Sequence, residues 1–174
     1  LPEGVAADFR TWLGSHDHLA YLEHMGWIRQ RVLADGESIV VGDVEIRPFR
    51  LALDFVYAFE LRQGDTRVLL AMDELDGWVP GERMRGWDLA ILPRGISEHD
   101  PFTGERRIAA DHPVLGFEAT FEETLAIVDR LDARRVVLSH VEEIDGLSHD
   151  DLTRLAAQVG RGIEFAFDGM VVEA

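Results

Sequence analysis

Two short apolar runs end on side chains that can bind a cation. Val68-Leu69-Leu70-Ala71-Met72 stops at Asp73, followed by Glu74, and Val136-Val137-Leu138-Ser139 stops at His140. A ligand at the end of a strand is held by the sheet yet faces the solvent-open rim. Carboxylate oxygen plus imidazole nitrogen suits zinc, manganese or iron. A metal-bound histidine needs an acceptor on its other ring nitrogen, and Glu142 or Glu143 stands close enough in sequence to supply one. The same residues have plainer uses: a strand-end Asp also serves turns and helix caps, and a strand-end His also serves packing. Further cation-capable residues (Glu98, His99, Asp100, Asp111 and His112) fall between Pro93 and Phe117, where Arg106 and Arg107 could meet an anion or balance local acids.

The chain has 174 residues, and 47% of them are apolar, enough for the core of one domain, residues 1–174. There is no cysteine, which excludes disulfides and thiolate-held zinc. The net charge is −16, and all 17 basic residues are arginine, so duplex nucleic acid is an unfavourable partner. No run approaches the roughly 20 apolar residues of a membrane span, and no signal peptide is visible; the expectation is a cytoplasmic protein.

Residues Val5 to Leu13 have helical spacing, and Ser15 to Met25 is ambiguous. Ile28-Val32, Ser38-Val41, Val44-Leu51, Phe55-Leu61 and Arg67-Met72 read as strands of an antiparallel meander, divided by Asp35-Gly36, Gly42-Asp43 and Gln63-Gly64-Asp65. Trp87-Leu92 and Arg135-Ser139 are strands in a second part, with a long loop over Pro93 to Phe117. Thr120-Phe-Glu-Glu123 and Ser148-His-Asp-Asp151 are helix-opening capping motifs. Ile163-Phe167 and Met170-Val172 read as closing strands about Asp168-Gly169. Trp78 and Trp87 suit packing at the sheet edge. Strands first, then strands alternating with helices, predict a mixed α/β sandwich with helices outside.

Three segments carry a resemblance: Phe55 to Glu74 (FVYAFELRQGDTRVLLAMDE), Arg134 to Leu152 (RRVVLSHVEEIDGLSHDDL) and Ile163 to Ala174 (IEFAFDGMVVEA). From about Val44 onward the chain resembles the metallo-β-lactamase-fold hydrolases, particularly their phosphodiesterase-like branch. The resemblance implies an αββα sandwich and two divalent metals, Zn or Mn, per complete site. It implies that Asp73 bridges the metals, that His140 holds one, and that Asp168-Gly169-Met170 is the closing motif. Glu118 stands where the family has an active-site His, and Arg50 where it has another His ligand; an arginine cannot ligate a cation. The family signature His-x-His-x-Asp-His is missing. His16-Asp17-His18 is followed by Ala20-Tyr21 where Asp-His should stand, and His16, His18 and His24 read as ordinary surface residues. The resemblance therefore implies the C-terminal portion of a larger hydrolase domain, incomplete at its N-terminus and inactive alone. The expected chemistry is attack by a metal-bound hydroxide on a phosphodiester or other small-molecule ester, with Glu118 as a catalytic residue. The alternative is a non-catalytic binding or assembly module derived from that fold. A homodimer or a missing N-terminal segment would complete the sandwich.

Overall fold

The computed structural model describes residues 1–12, 18–34, 36–142 and 145–174. Asp35, His16 and Glu143 lie outside the described residues. Two helices, α1 (Glu3–Trp12) and α2 (His18–His24), precede seven strands. The strands are β1 (Ile39–Val41), β2 (Val44–Arg50), β3 (Tyr57–Gln63), β4 (Thr66–Leu70), β5 (Leu89–Pro93), β6 (Arg135–Ser139) and β7 (Ile163–Phe165). Helix α3 (Phe121–Leu131) links β5 to β6, and α4 (His149–Val159) links β6 to β7.

The strands lie side by side in chain order in one mixed sheet. β1 to β4 are antiparallel hairpins, whereas β4, β5, β6 and β7 run parallel. Two-residue turns at Gly42-Asp43 and Gly64-Asp65 join β1 to β2 and β3 to β4, and both glycines take the positive φ (64° and 58°) that a tight hairpin requires. The parallel strands need long crossovers, which the helices provide.

One face of the sheet packs on α3 and α4. Ala90, Leu92, Val136, Leu138, Ile163 and Phe165 meet Ile127, Val128, Leu131, Leu152 and Leu155 in a single buried core. Both helices open on complete capping boxes, Thr120 with Glu123 and Ser148 with Asp151. Trp87 is buried, donates its indole N–H to the Met84 carbonyl at 2.8 Å and lies under the Arg67 guanidinium.

The opposite face presents another apolar set. Ile46 pairs with Leu61, Leu61 with Val68, Phe59 with Leu70, and Leu70 with Ile91. These residues are half-buried and lie outside the helix-side core. Helix α1 approaches its far end: a Cβ on Gly4 would come within 2.6 Å of the Tyr57 hydroxyl. On the helix side, Ala58 and Leu69 join the core, and the residues toward the outer ends of the hairpins are charged, with Arg47–Glu45 at 3.1 Å, Arg62–Glu60 at 3.2 Å and Arg67–Glu60 at 3.1 Å. Alternation along a half-covered antiparallel strand produces this two-sided pattern.

Two expected strands are absent. Residues Ile28-Val32 belong to no strand, and Ile28 and Val32 are each 37% exposed. Met170-Val172 also lies outside the sheet, with Val171 83% exposed. β-Branched residues favour a strand only where a neighbour supplies the ladder. The Asp168-Gly169 turn does form, closed by Met170 N–H donating to the Phe167 carbonyl at 3.0 Å. Among the described residues no helix is long and apolar enough to cross a membrane.

The Thr120 hydroxyl is buried and bonded both to the Glu123 amide and to its carboxylate. Thr120→Ala is expected to lower stability by about 1 kcal/mol, read from urea denaturation midpoints; an unchanged midpoint would contradict the role of this cap.

Candidate functional site

Because β4, β5 and β6 are parallel neighbours, their C-terminal ends emerge at one rim. The ladder continues one step past β4, with Ala71 N–H donating to Ile91 O at 2.9 Å. Pro93 pairs with Ser139 at the top of β5 and β6. The segments that follow these strands line one cavity of about 100 Å³, whose walls include Asp73, Glu74, Gly95, Glu118, His140 and Glu142. The sequence-identified Asp73, Glu118 and His140 thus converge.

Each wall residue is placed by a local device. His140 has φ +53°, a left-handed conformation uncommon for a residue with a side chain. That backbone turn follows Ser139, whose hydroxyl is anchored on Leu92 O at 3.1 Å. The imidazole Nδ1 lies 3.4 Å from the Met72 carbonyl, and Nε2 lies 3.0 Å from Glu142 Oε1. Glu142 therefore does meet His140, and the Met72 carbonyl is the partner at the other ring nitrogen. Asp73 is exposed, and its carboxylate bonds to no described residue.

Glu74 does a different job from its neighbour. Its Oε1 accepts the backbone N–H groups of Leu75 (2.5 Å), Asp76 (2.6 Å) and Ala119 (2.9 Å). The last bond ties the end of β4 to the residue after Glu118. A second tie comes from Gly95, at φ +79°, where a Cβ would lie 2.7 Å from the Ala119 carbonyl oxygen. Only glycine allows this approach. Ile96 N–H then donates to Ala119 O at 3.0 Å, and Phe121 N–H donates to Ile96 O at 2.9 Å. Glu118 is set between these ties. Enclosure in the cavity, then the carboxylates of Glu74 and Glu142, push its pKa above the ordinary 4.5, opposed by His140.

The loop from Pro93 to Phe117 is ordered around a pair that sequence reasoning did not find. Arg94 is wholly buried, and its Nη1 donates to Asp145 Oδ2 at 2.6 Å and to Gly95 O at 3.1 Å. Its Nη2 donates to Ser97 Oγ at 2.6 Å, and the guanidinium lies over the Phe121 ring. Asp145 Oδ1 accepts the Ser97 amide at 3.2 Å. Burial lowers the Arg94 pKa, and Asp145 opposes that shift. The outer arginines are also engaged. Arg106 binds Glu98, while Arg107 binds the Asp145 carbonyl and, at 2.5 Å, Asp100. Amides of Thr103 and Phe102, with Arg107, hold Asp100 at a pKa of about 2. His99 is 3.9 Å from Glu98, and His112 caps the 3-10 turn Pro113–Gly116. Arg50, in place of a family histidine, meets Tyr57 at 3.2 Å and Asp54 at 3.3 Å.

Carboxylate oxygens and one imidazole at the same rim have the donor chemistry of a zinc or manganese site. Their number does not complete one: among the described residues, no three His, Asp or Glu side chains gather closely enough to hold a metal ion.

Comparison with known proteins gives the fold. No family model matches the chain, and no curated protein matches it. Solved structures do match. Zn²⁺-bound PqqB from Methylobacterium extorquens is 15% identical, with a TM-score of 0.62 over 90% of this chain and 59% of its own. A diphosphatase of the PhnP family is 18% identical, with a TM-score of 0.53 over 92% of this chain and 56% of its own. The metallo-β-lactamase-fold protein YhfI from Bacillus subtilis is 18% identical, with a TM-score of 0.54 over 87% of this chain and 61% of its own. The chain thus spans well under two thirds of the length of each.

Two outcomes test this geometry. Asp145→Ala strands the buried Arg94 charge and is expected to cost about 3–5 kcal/mol in urea unfolding, much of it recovered in Arg94→Met/Asp145→Leu. The raised pKa of Glu118 means that its stabilising contribution is complete below 4.5 and is lost as pH rises through the folded-state value. Without added metal, Glu118→Gln should therefore gain stability relative to the parent as pH rises from 4 to 7; a variant-minus-parent difference that stays constant or falls over that range would refute the shift.

Proposed function

Since the chain has the metallo-β-lactamase fold, we propose that it is the metal-binding hydrolase domain, or part of one, acting on a phosphodiester or other ester. The observation that supports this most directly is the shared cavity of Asp73, Glu118 and His140 at the rim of the parallel strands. Asp73 and His140 would hold the metal, zinc or manganese. The metal would polarise the scissile bond and activate a water near neutral pH.

The chain's own residues have distinct parts in this reading. Asp73 is ready to ligate, because taking up a cation breaks no bond to a described residue. His140 must exchange its Glu142 contact for the cation, while the Met72 carbonyl keeps a proton on Nδ1 and leaves the Nε2 lone pair available. Glu142 then becomes a nearby carboxylate that balances the cation. Glu118, with its raised pKa, holds a proton more readily than an ordinary glutamate and would deliver it to the leaving oxygen. Glu74 is a positioning residue, since one of its oxygens is saturated by three backbone amides.

Two protein ligands are fewer than a tight site uses, so turnover would need ligands beyond Asp73 and His140. A preceding segment of a longer protein or a second copy would supply them, and the apolar sheet face gives either a surface to cover. A second reading, a non-catalytic binding or assembly module, is favoured by the absence of a three-ligand group among the described residues.

Calorimetric titration with Zn²⁺ or Mn²⁺, with metal analysis of the purified chain, separates the two. The hydrolase reading expects measurable but weak binding, weakened about tenfold or more in Asp73→Ala and in His140→Ala, and no cleavage of an aryl phosphodiester by this chain alone. Two tightly held metals per chain would eliminate the module. No binding, or binding indifferent to both substitutions, would eliminate the hydrolase.

A further inference from the structure

A second, larger cavity of about 470 Å³ adjoins the first, and the two share Ile96, Glu118 and Glu142 as walls. It lies under the loop that follows β5. We infer that this cavity binds an uncharged, mainly apolar group, such as an aryl or cycloalkyl substituent carrying a hydrogen-bond acceptor.

The wall chemistry selects this class by elimination. Its apolar walls are Ile96, Ile108, Ala109 and Val114. Its cation, Arg107, is already shared between the Asp145 carbonyl and the Asp100 carboxylate. Its anion, Asp145, is already saturated by Arg94 and the Ser97 amide. Neither has charge to spare for a ligand. The carboxylates of Glu118 and Glu142 stand where the two cavities meet, so an anionic group entering this way would be repelled. His112 offers a further donor. His112 Nδ1 accepts the Val114 amide at 3.2 Å, which in the neutral ring leaves the proton on Nε2. The volume falls within the range of small-molecule sites, and apolar walls with few polar groups are their usual make-up.

That the bound group is one arm of the ester cleaved next door rests on the proposed function; that the cavity binds such a group does not. Acetanilide, an uncharged aryl amide, is a suitable probe in a ¹H–¹⁵N NMR titration of the chain with EDTA present. The expected result is shifts confined to residues 96–97, 107–114, 118, 142 and 145. Ala109→Trp fills the cavity and should weaken binding about tenfold or more. Ala110→Trp, at an exposed neighbour outside the cavity lining, should leave it unchanged, and His112→Ala should weaken it severalfold. Benzoate, with the same ring and a negative charge, should not bind there. No shifts, shifts elsewhere, equal binding by Ala109→Trp, or binding of benzoate at these residues would each overturn the inference. Acetanilide bound here in a chain that takes up no metal would sink the hydrolase reading and leave the ligand class standing.

Discussion

Three adjacent parallel strands must all end at the same edge of their sheet, and the functional geometry depends on that constraint. β4, β5 and β6 satisfy it with registers that place Leu70 beside Ile91 and Pro93 beside Ser139. Whatever residue follows each strand is delivered to one rim without further design, the usual place for ligand sites in sheets of this kind. Asp73 and His140 are far apart in sequence, yet only Ala71 and Met72 separate Asp73 from the end of β4, and His140 directly follows β6. The switch from antiparallel to parallel pairing at β4 therefore sets the geometry of this rim. An antiparallel β5 would send its C-terminal end, and the loop that walls both cavities, to the opposite edge.

The rim alone would leave that loop unplaced. Its position follows from burying one arginine. A guanidinium with no solvent access is costly unless its partners are fixed, and Arg94 fixes Asp145, Ser97 and Gly95 at once. The loop after β5 and the segment after β6 are thereby locked to each other across the top of the sheet. Glu74 makes the corresponding lock from the end of β4 to Ala119, just ahead of the α3 cap. The two locks flank Glu118, whose pKa is raised by partial enclosure and then by the neighbouring carboxylates of Glu74 and Glu142.

This division explains what the sequence disclosed. Apolar runs stopping at Asp73 and His140, and capping motifs at Thr120 and Ser148, are local signals with local causes, and each reads directly. The Arg94–Asp145 pair joins residues 51 positions apart, and nothing in Pro93-Arg94-Gly95 distinguishes a buried arginine from a surface one. The Met72 carbonyl that orients His140 is backbone and carries no sequence signature. Ile28-Val32 and Met170-Val172 have the composition of strands, but pairing is a tertiary event and neither has a partner. The turn before Met170 was legible because Asp168-Gly169 carries its own conformational cause.

The apolar face opposite α3 and α4 follows from the same strand alternation that makes the helix side of β2 to β4 charged. With Glu45, Arg47, Glu60 and Arg62 on one side of the hairpins, Ile46, Phe59 and Leu61 must take the other. A one-residue slip would exchange the two faces, moving the four charges to the face that Ile46, Phe59 and Leu61 now hold, so the register is strongly fixed. The pattern therefore identifies which side of the sheet the sequence is built to cover. The helix-side core continues from β4 to β7 beneath α3 and α4, whereas the outer hairpins have an apolar surface facing away from both helices. The apolar residues of that face are half-buried, and the same pattern in β2 to β4 that specifies the hairpins sets which side of the sheet carries them.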